Sequence, residues 1–219
     1  MAVKSILKDT TERERARHFL ALTLKHGGST SYNEWARHYE ADILDSLGYK
    51  AHTSVTIKWQ SYHKYLVTRN ETTKHKILDA GCGTGLVGES VVSACSPDSI
   101  QLYGGDVSEK MLEEAKMKGI YTDLLVIDLN IELPYNADSF DSIVCAGVFG
   151  KGQCDVDCLP NILRVLKPGC YYVGTVNADR YDVSLWTRTI QECDCVLIED
   201  SEMPVRDCAT GIVLVIMKN

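Results

Sequence analysis

Apolar positions in this chain recur at different spacings, and each spacing names a different element. In the first third they return every three or four residues. Tyr32, Trp35, Ala36, Tyr39, Ile43 and Leu47 share one helical face, and Val55, Trp59, Tyr62 and Leu66 share another in a helix from about Thr53. Thr10 or Thr11 is placed to cap an earlier helix with Glu12 and Glu14 in its first turn and Gly27-Gly28 at its end. Ser31 and Glu34 form a capping box for the next, and Gly48 is its natural stop. From Lys76 onward, short apolar runs alternate with helical stretches. Strands are predicted at Lys76–Asp79, Ile100–Gly105, Leu124–Ile127, Phe140–Cys145 and Tyr171–Val176. Helices are predicted at about Leu86–Ala94, between Ser108 and Gly119, and at Leu159–Leu166. Such alternation predicts a parallel sheet covered by helices on both faces.

The C-terminal stretch breaks that pattern. Cys195–Ile198 and Gly211–Met217 both read as strands, and the loop containing Pro204 leaves no room for a crossover helix, so they form an antiparallel hairpin. Gly211–Met217 is apolar throughout and suits a strand buried on both faces; Glu199 and Asp200 suit an edge. The expected fold is therefore α/β: a Rossmann-like, seven-stranded, mostly parallel sheet with an antiparallel last strand, plus N-terminal helices.

Candidate chemistry begins at Ile77–Gly88, ILDAGCGTGLVG. A strand, a glycine turn and a helix in that order set backbone N–H groups before a ligand, with no Cβ in the way. Two ligand classes fit. Gly83-x-Gly85-x-x-Gly88 satisfies the dinucleotide fingerprint, with Asp106 at about the interval of a ribose-binding acid. The wider pattern Asp79-x-Gly81-x-Gly83-x-Gly85 resembles the first motif of class I S-adenosylmethionine-dependent methyltransferases, in which no pyrophosphate is bound.

Four further features carry that resemblance. Asp106, in GGDVSEKML, matches the acid that accepts both ribose hydroxyls; Asp128-Leu129, in VIDLN, matches the pair that meets the adenine amino group and ring; ELPYNADSFDSIVCAG and LKPGC resemble the approaches to the fourth and fifth strands. The antiparallel strand slotted inside the sheet also separates this family from dehydrogenases. YNEWARHYEADI resembles the helix that closes over the cofactor's methionine end, so Tyr32, Trp35 and Tyr39 either line the site or pack in the core. The resemblance implies S-adenosyl-L-methionine as cofactor, with S-adenosyl-L-homocysteine as product. It assigns cofactor contacts to Tyr32, Trp35, Asp79, Ala80, Gly81, Cys82, Gly83, Gly85, Leu86, Asp106, Val107, Met111, Asp128, Leu129 and Ala146. Residues 1–50 would form a helical lid and 51–219 the core. Glu109, where the family often has proline, and Cys170, where its turn usually has glycine, depart from the pattern. The layout also resembles a methyltransferase-like group whose substrate the resemblance leaves undefined. No Asn/Asp-Pro-Pro-aromatic motif follows the fourth strand, which in this family speaks against planar amide or base nitrogens as acceptors.

Composition narrows the rest. Hydrophobic residues at 45% and charged residues at 24% describe an ordinary globular chain, and no apolar run is long enough to span a bilayer. The N-terminus has no apolar stretch of the secretory kind. Nine cysteines at irregular spacings favour reduced thiols in a cytoplasmic, or nuclear, protein. Cys154-x-x-x-Cys158 and Cys193-x-Cys195 lack zinc-site spacing, so no metal is expected. Residues 1–76 carry net +5 and the remainder −12, which either pack on each other or mark an interface; the total of −7 argues against non-specific nucleic-acid binding. A monomer acting on a small-molecule acceptor is the expectation. A protein acceptor, or a cofactor-binding subunit without catalysis, is the alternative. His38, Tyr39 and Tyr181 are the polar candidates near the mouth; no catalytic residue is assigned.

Overall fold

The computed structural model describes residues 2–26, 28–67, 74–207 and 209–219. A seven-stranded sheet runs through it in the order β3-β2-β1-β4-β5-β7-β6. Five strands are parallel: β1 (His75–Ala80), β2 (Ile100–Asp106), β3 (Asp123–Val126), β4 (Phe140–Phe149) and β5 (Leu166–Val176). The strand β7 (Ala209–Lys218) lies antiparallel between β5 and the edge strand β6 (Cys195–Arg206). Alternation along the buried strands sends neighbours to opposite cores. Ile77 packs on one face of the sheet and Leu78 on the other; Val213 and Val215 join the first, Leu214 and Ile216 the second. Helices cover both faces, which is why β7 carries no polar alternation.

On the first face lie α3 (Ala51–Val67) and α4 (Leu86–Ser93), with Val55, Trp59, Val87 and Val91 in the core. Leu66, expected on the same face of α3, lies outside the residues whose side chains are described. On the second face lie α6 (Leu159–Arg164) and α7 (Val183–Glu192). The helix α5 (Glu109–Met117) starts where Ser108 accepts a hydrogen bond from the Met111 N–H, the expected cap.

Several boundaries differ from the sequence reading. The N-terminal helix α1 (Ala2–His26) runs straight through Thr10 and Thr11, so neither caps it. Its expected stop includes Gly27, which lies outside the described residues. The next helix, α2 (Gly28–Ala41), begins three residues before Ser31, which is buried inside it and caps nothing. A π-turn at Asp42–Ser46 then carries the chain to Gly48. Strand β5 begins at Leu166 and contains Pro168-Gly169, because its pairing with β4 skips there instead of starting at Tyr171. The predicted break at Pro204 is also absent: β6 continues to Arg206, and an edge strand tolerates proline. Helix α7 was not foreseen; Asp182 caps it, and Trp186 and Ile190, one turn apart, anchor it.

Ion pairs cross the charge divide. Lys58 meets Glu199 at 2.6 Å, Lys50 meets Asp207 at 2.7 Å and Glu40 meets Lys118 at 2.8 Å. The basic segment therefore packs, at least in part, on the acidic remainder of its own chain.

Candidate functional site

The carboxyl ends of the parallel strands open into a cavity of ≈ 260 Å³. Gly81 and Gly83 line it from the turn after β1, Asp106 and Val107 from the end of β2, and Ile127 to Asn130 from the end of β3. Ala146, Gly147 and Val148 line it from the end of β4, and Met111 from α5. Tyr32 and Tyr39 of α2 form its roof, with Gln153 and Cys154 beside them. This is where open α/β sheets bind ligands.

Nine of the predicted residues thus come together here: Tyr32, Gly81, Gly83, Asp106, Val107, Met111, Asp128, Leu129 and Ala146. Six do not line the cavity. Asp79 is fully buried beneath the turn, accepting the Tyr121 hydroxyl at 2.8 Å. Burial lifts its carboxyl to about 7. Ala80 is buried in the strand, and the Cys82 thiol turns back toward its neighbour's carbonyl. Gly85 starts α4 facing Lys118 and Tyr121, with half-buried Leu86 behind it. Trp35 is buried in the roof. Of the other candidates, Tyr39 lines the cavity, His38 is exposed outside it, and Tyr181 is bonded to Asp200 at 2.8 Å away from it. Sequence reasoning missed Gln153. Its amide donates to the Tyr32 hydroxyl at 2.6 Å and to the Gly147 carbonyl at 2.7 Å, tying the roof to β4. The Gly150-x-Gly152 turn before it was the available signal.

The loop's own hydrogen bonds choose between the two ligand classes. The N–H of Gly81 and that of Cys82 both donate to the Gly105 carbonyl, and the Gly85 N–H donates to that of Cys82. The Gly83 N–H donates to Asp106 Oδ2 at 2.9 Å. A pyrophosphate would find these donors taken and the half-buried Asp106 carboxylate close by. Gly88, the third glycine of the fingerprint, lies inside α4, where a Cβ would strike Tyr121. Its role is packing.

A ligand with an uncharged sugar and an adenine ring fits better. Asp106 accepts the Gly83 and Ser108 N–H groups, one on each oxygen, at 2.9 Å, and each oxygen keeps a further lone pair. Asp128 is oriented by two bonds from Asn130 to its Oδ1, which leaves Oδ2 open. Met111 and Leu129 offer apolar walls. Gly83, at φ 54°, has nothing within 4 Å of where a Cβ would project, so the protein keeps that space for something else.

Residues 78–174 match the family profile described as "Methyltransferase domain". Over that stretch the chain is similar to class I S-adenosylmethionine-dependent methyltransferases. Methyltransferase-like protein 27 of Homo sapiens is 33% identical over 143 residues, covering 63% of this chain and 53% of that protein. The ubiquinone/menaquinone biosynthesis C-methyltransferase of Desulfotalea psychrophila is 30% identical over 113 residues, 50% of this chain and 45% of that protein. The chain spans about half the length of these curated relatives. Magnesium protoporphyrin IX methyltransferase from Synechocystis, solved with bound S-adenosylmethionine, shares the fold of the methyltransferase domain and its helices. The TM-score is 0.61 over 95% of this chain and 97% of that one, at 16% identity.

A second cavity, of ≈ 510 Å³, adjoins the first. Tyr32, Tyr39, Gly147 and Gln153 line both. Among the described residues no group of three or more His, Cys, Asp or Glu is arranged to hold a metal, and no helix is long and apolar enough to cross a membrane.

Proposed function

We propose that this chain binds S-adenosylmethionine in the smaller cavity and methylates a small-molecule acceptor in the larger one. The observation that carries this reading is the shared wall of Tyr32, Tyr39, Gly147 and Gln153. Two reactants held on either side of such a wall meet there, and positioning alone can supply much of the rate. In this reading Asp106 accepts the ribose hydroxyls and Asp128 the adenine amino group, with Leu129, Met111, Val107 and Ala146 around the ring. Gly81 and Gly83 leave room for the amino-acid end. Asp79, Ala80, Cys82, Gly85 and Leu86 shape the turn from behind, and Trp35 holds the roof. The cofactor, when bound, supplies a methyl group on a sulfonium. The chain's task is to align it and keep water out, which the roof over residues 28–47 is placed to do.

Residues 1–50 act as a lid on the core of 51–219. The layout resembles the methyltransferase-like protein named for the Williams–Beuren syndrome region, and we place the chain in that group. The reading includes a monomer, since one chain closes both cavities, and no nucleic-acid partner, given net charge −7. The eight described cysteines form no disulfide, which suits a reducing compartment, the cytoplasm or nucleus.

Incubating the pure protein with methyl-labelled cofactor and cell extract, then fractionating by size, tests the assignment. Label in small metabolites is expected. Label in a protein band would replace the acceptor class, and no transfer despite intact cofactor binding would favour a non-catalytic subunit.

A further inference from the structure

The larger cavity carries a chemical preference of its own. We infer that its acceptor is a small apolar acid, methylated on a carboxylate oxygen that is already ionised; this rests on the methyltransferase reading above. Part of the lining is apolar, with Trp35, Ile43 and Leu47 among it. Where the cavity meets β4, donors converge. Gly147, at φ 71°, stands so close to the Tyr49 hydroxyl that a Cβ there would lie 2.7 Å from it. Tyr39 lines both cavities beside it. Neither the Tyr39 nor the Tyr49 hydroxyl has a hydrogen-bond partner among the described residues, whereas Tyr32 is held by Gln153. Burial raises the pKa of both phenols, so at neutral pH each is a donor lacking an acceptor.

The charges nearby have the matching sign. Arg206 is bridged to Tyr49 through its backbone, and Lys151 lies in the turn just before Gln153. Neither has a carboxylate within 4.0 Å among the described residues. Among the described residues Asp179 is the one carboxylate in this lining. A chain of net charge −7 thus presents at this cavity two cations without a carboxylate partner among the described residues, where an amine would be repelled and an anion drawn in.

The absence of a histidine base fits the same substrate. Among the described residues no histidine lines either cavity. A carboxylate needs none: one oxygen accepts from the tyrosine hydroxyls, and the other gives its electron pair to the new O–CH3 bond. The S–CH3 bond breaks with its pair returning to sulfur, no proton is released, and a neutral ester and a neutral thioether result.

Calorimetry with S-adenosylhomocysteine comes first, then 2-naphthoate, 2-naphthamide and 2-(aminomethyl)naphthalene at saturating S-adenosylhomocysteine. The naphthoate should bind about tenfold or more tighter than the amide, and the amine least. The double variant K151Q/R206Q should weaken naphthoate binding about tenfold, and Tyr49→Phe several-fold, with S-adenosylhomocysteine affinity unchanged in both. No naphthoate binding, equal binding of acid and amide, preference for the amine, or variants that bind the acid like the parent would each overturn the inference. If S-adenosylhomocysteine itself does not bind, the methyltransferase reading fails and this one falls with it.

Discussion

On the floor of the site the carboxylates Asp106 and Asp128 lie at a strand end or two residues past one, whereas on the roof Tyr32 and Tyr39 hang from a helix positioned from elsewhere. Asp106 closes β2 and is fixed by the N–H groups of Gly83 and Ser108. The roof depends on one buried carboxylate in the π-turn. Asp42, fully buried, accepts from Arg15 of α1 at 2.6 Å and from the Trp35 indole of α2 at 2.9 Å, so it pins both helices together. Asn33 docks the roof on the floor, accepting from Ser108 Oγ at 2.7 Å and from the Lys110 N–H at 3.2 Å, at the start of α5. Backbone geometry holds the floor, and a few side-chain bonds between distant segments hold the roof. The roof is thus the half expected to open and admit ligand, and the half a single substitution can undo.

The largest effect should come from removing the pin. Asp42→Ala leaves Arg15 and the Trp35 indole without their buried partner, at a cost of about 3–5 kcal/mol in urea unfolding. Hydrogen exchange should accelerate across residues 28–47 well before β1, β2 and β4. A loss below about 1 kcal/mol, or exchange rising evenly over roof and floor, would erase the distinction between the two halves.

Next in size is a pH effect on the floor. The Asp79 carboxyl is raised to about 7 by burial, above its unfolded value of about 3.9, so the folded state holds a proton that the unfolded state loses. That contribution is fully present below about pH 4 and is lost as pH rises through about 7, with a slope of up to about 1.4 kcal/mol per unit between. Asp79→Asn, which still offers Tyr121 an acceptor, should flatten the fall in melting temperature between pH 5 and 7. An unchanged profile would mean that Asp79 is ionised in the fold.

Ligand affinity comes third. Asp106→Ala should cost about 1.5–3 kcal/mol of S-adenosylmethionine binding, with asparagine in between, because a charged acceptor is lost from two hydroxyls. Affinity equal to the parent's would show that the ribose lies elsewhere. The smallest effect belongs to the link between α3 and the edge strand. Lys58 pulls the Glu199 carboxyl down to about 2, so its stabilisation is present above about pH 4.3 and fades as pH falls through about 2. Glu199 is 35% exposed and Lys58 19%, so solvent screens the pair and Glu199→Gln should cost no more than about 1 kcal/mol near neutral pH. A larger loss would make the edge a second pin.

What was legible in the sequence follows the same division. The parallel strands, the glycine turn, the positions of Asp106 and Asp128 at or just past the ends of β2 and β3, and the buried antiparallel β7 are set by local periodicity and by residues with one physical use, and the structure has these elements where they were read, though several strand limits differ. The roof was read only as helices with an aromatic face. Nothing near Asp42 in sequence names Arg15 as its partner, and the capping box at Ser31 is a valid local signal that the helix overrides by starting at Gly28. Helix α7 carried a cap at Asp182 and a Trp186–Ile190 stripe that a closer reading of spacing would have caught. The length of β6 was hidden because the apolar run stops at Ile198 and Glu199, Asp200 and Glu202 follow, while half-burial along an edge needs only every second side chain inward. Gln153 escaped because its function is to reach Tyr32, 121 residues away.

The central claim is that the glycine turn, with its N–H groups already bonded within the chain, serves an adenosyl sulfonium and not a dinucleotide. Calorimetry of the full chain with S-adenosylmethionine and, separately, with NAD tests it most directly. Micromolar binding of S-adenosylmethionine with no detectable heat from NAD is the predicted result; NAD binding without S-adenosylmethionine binding would contradict it.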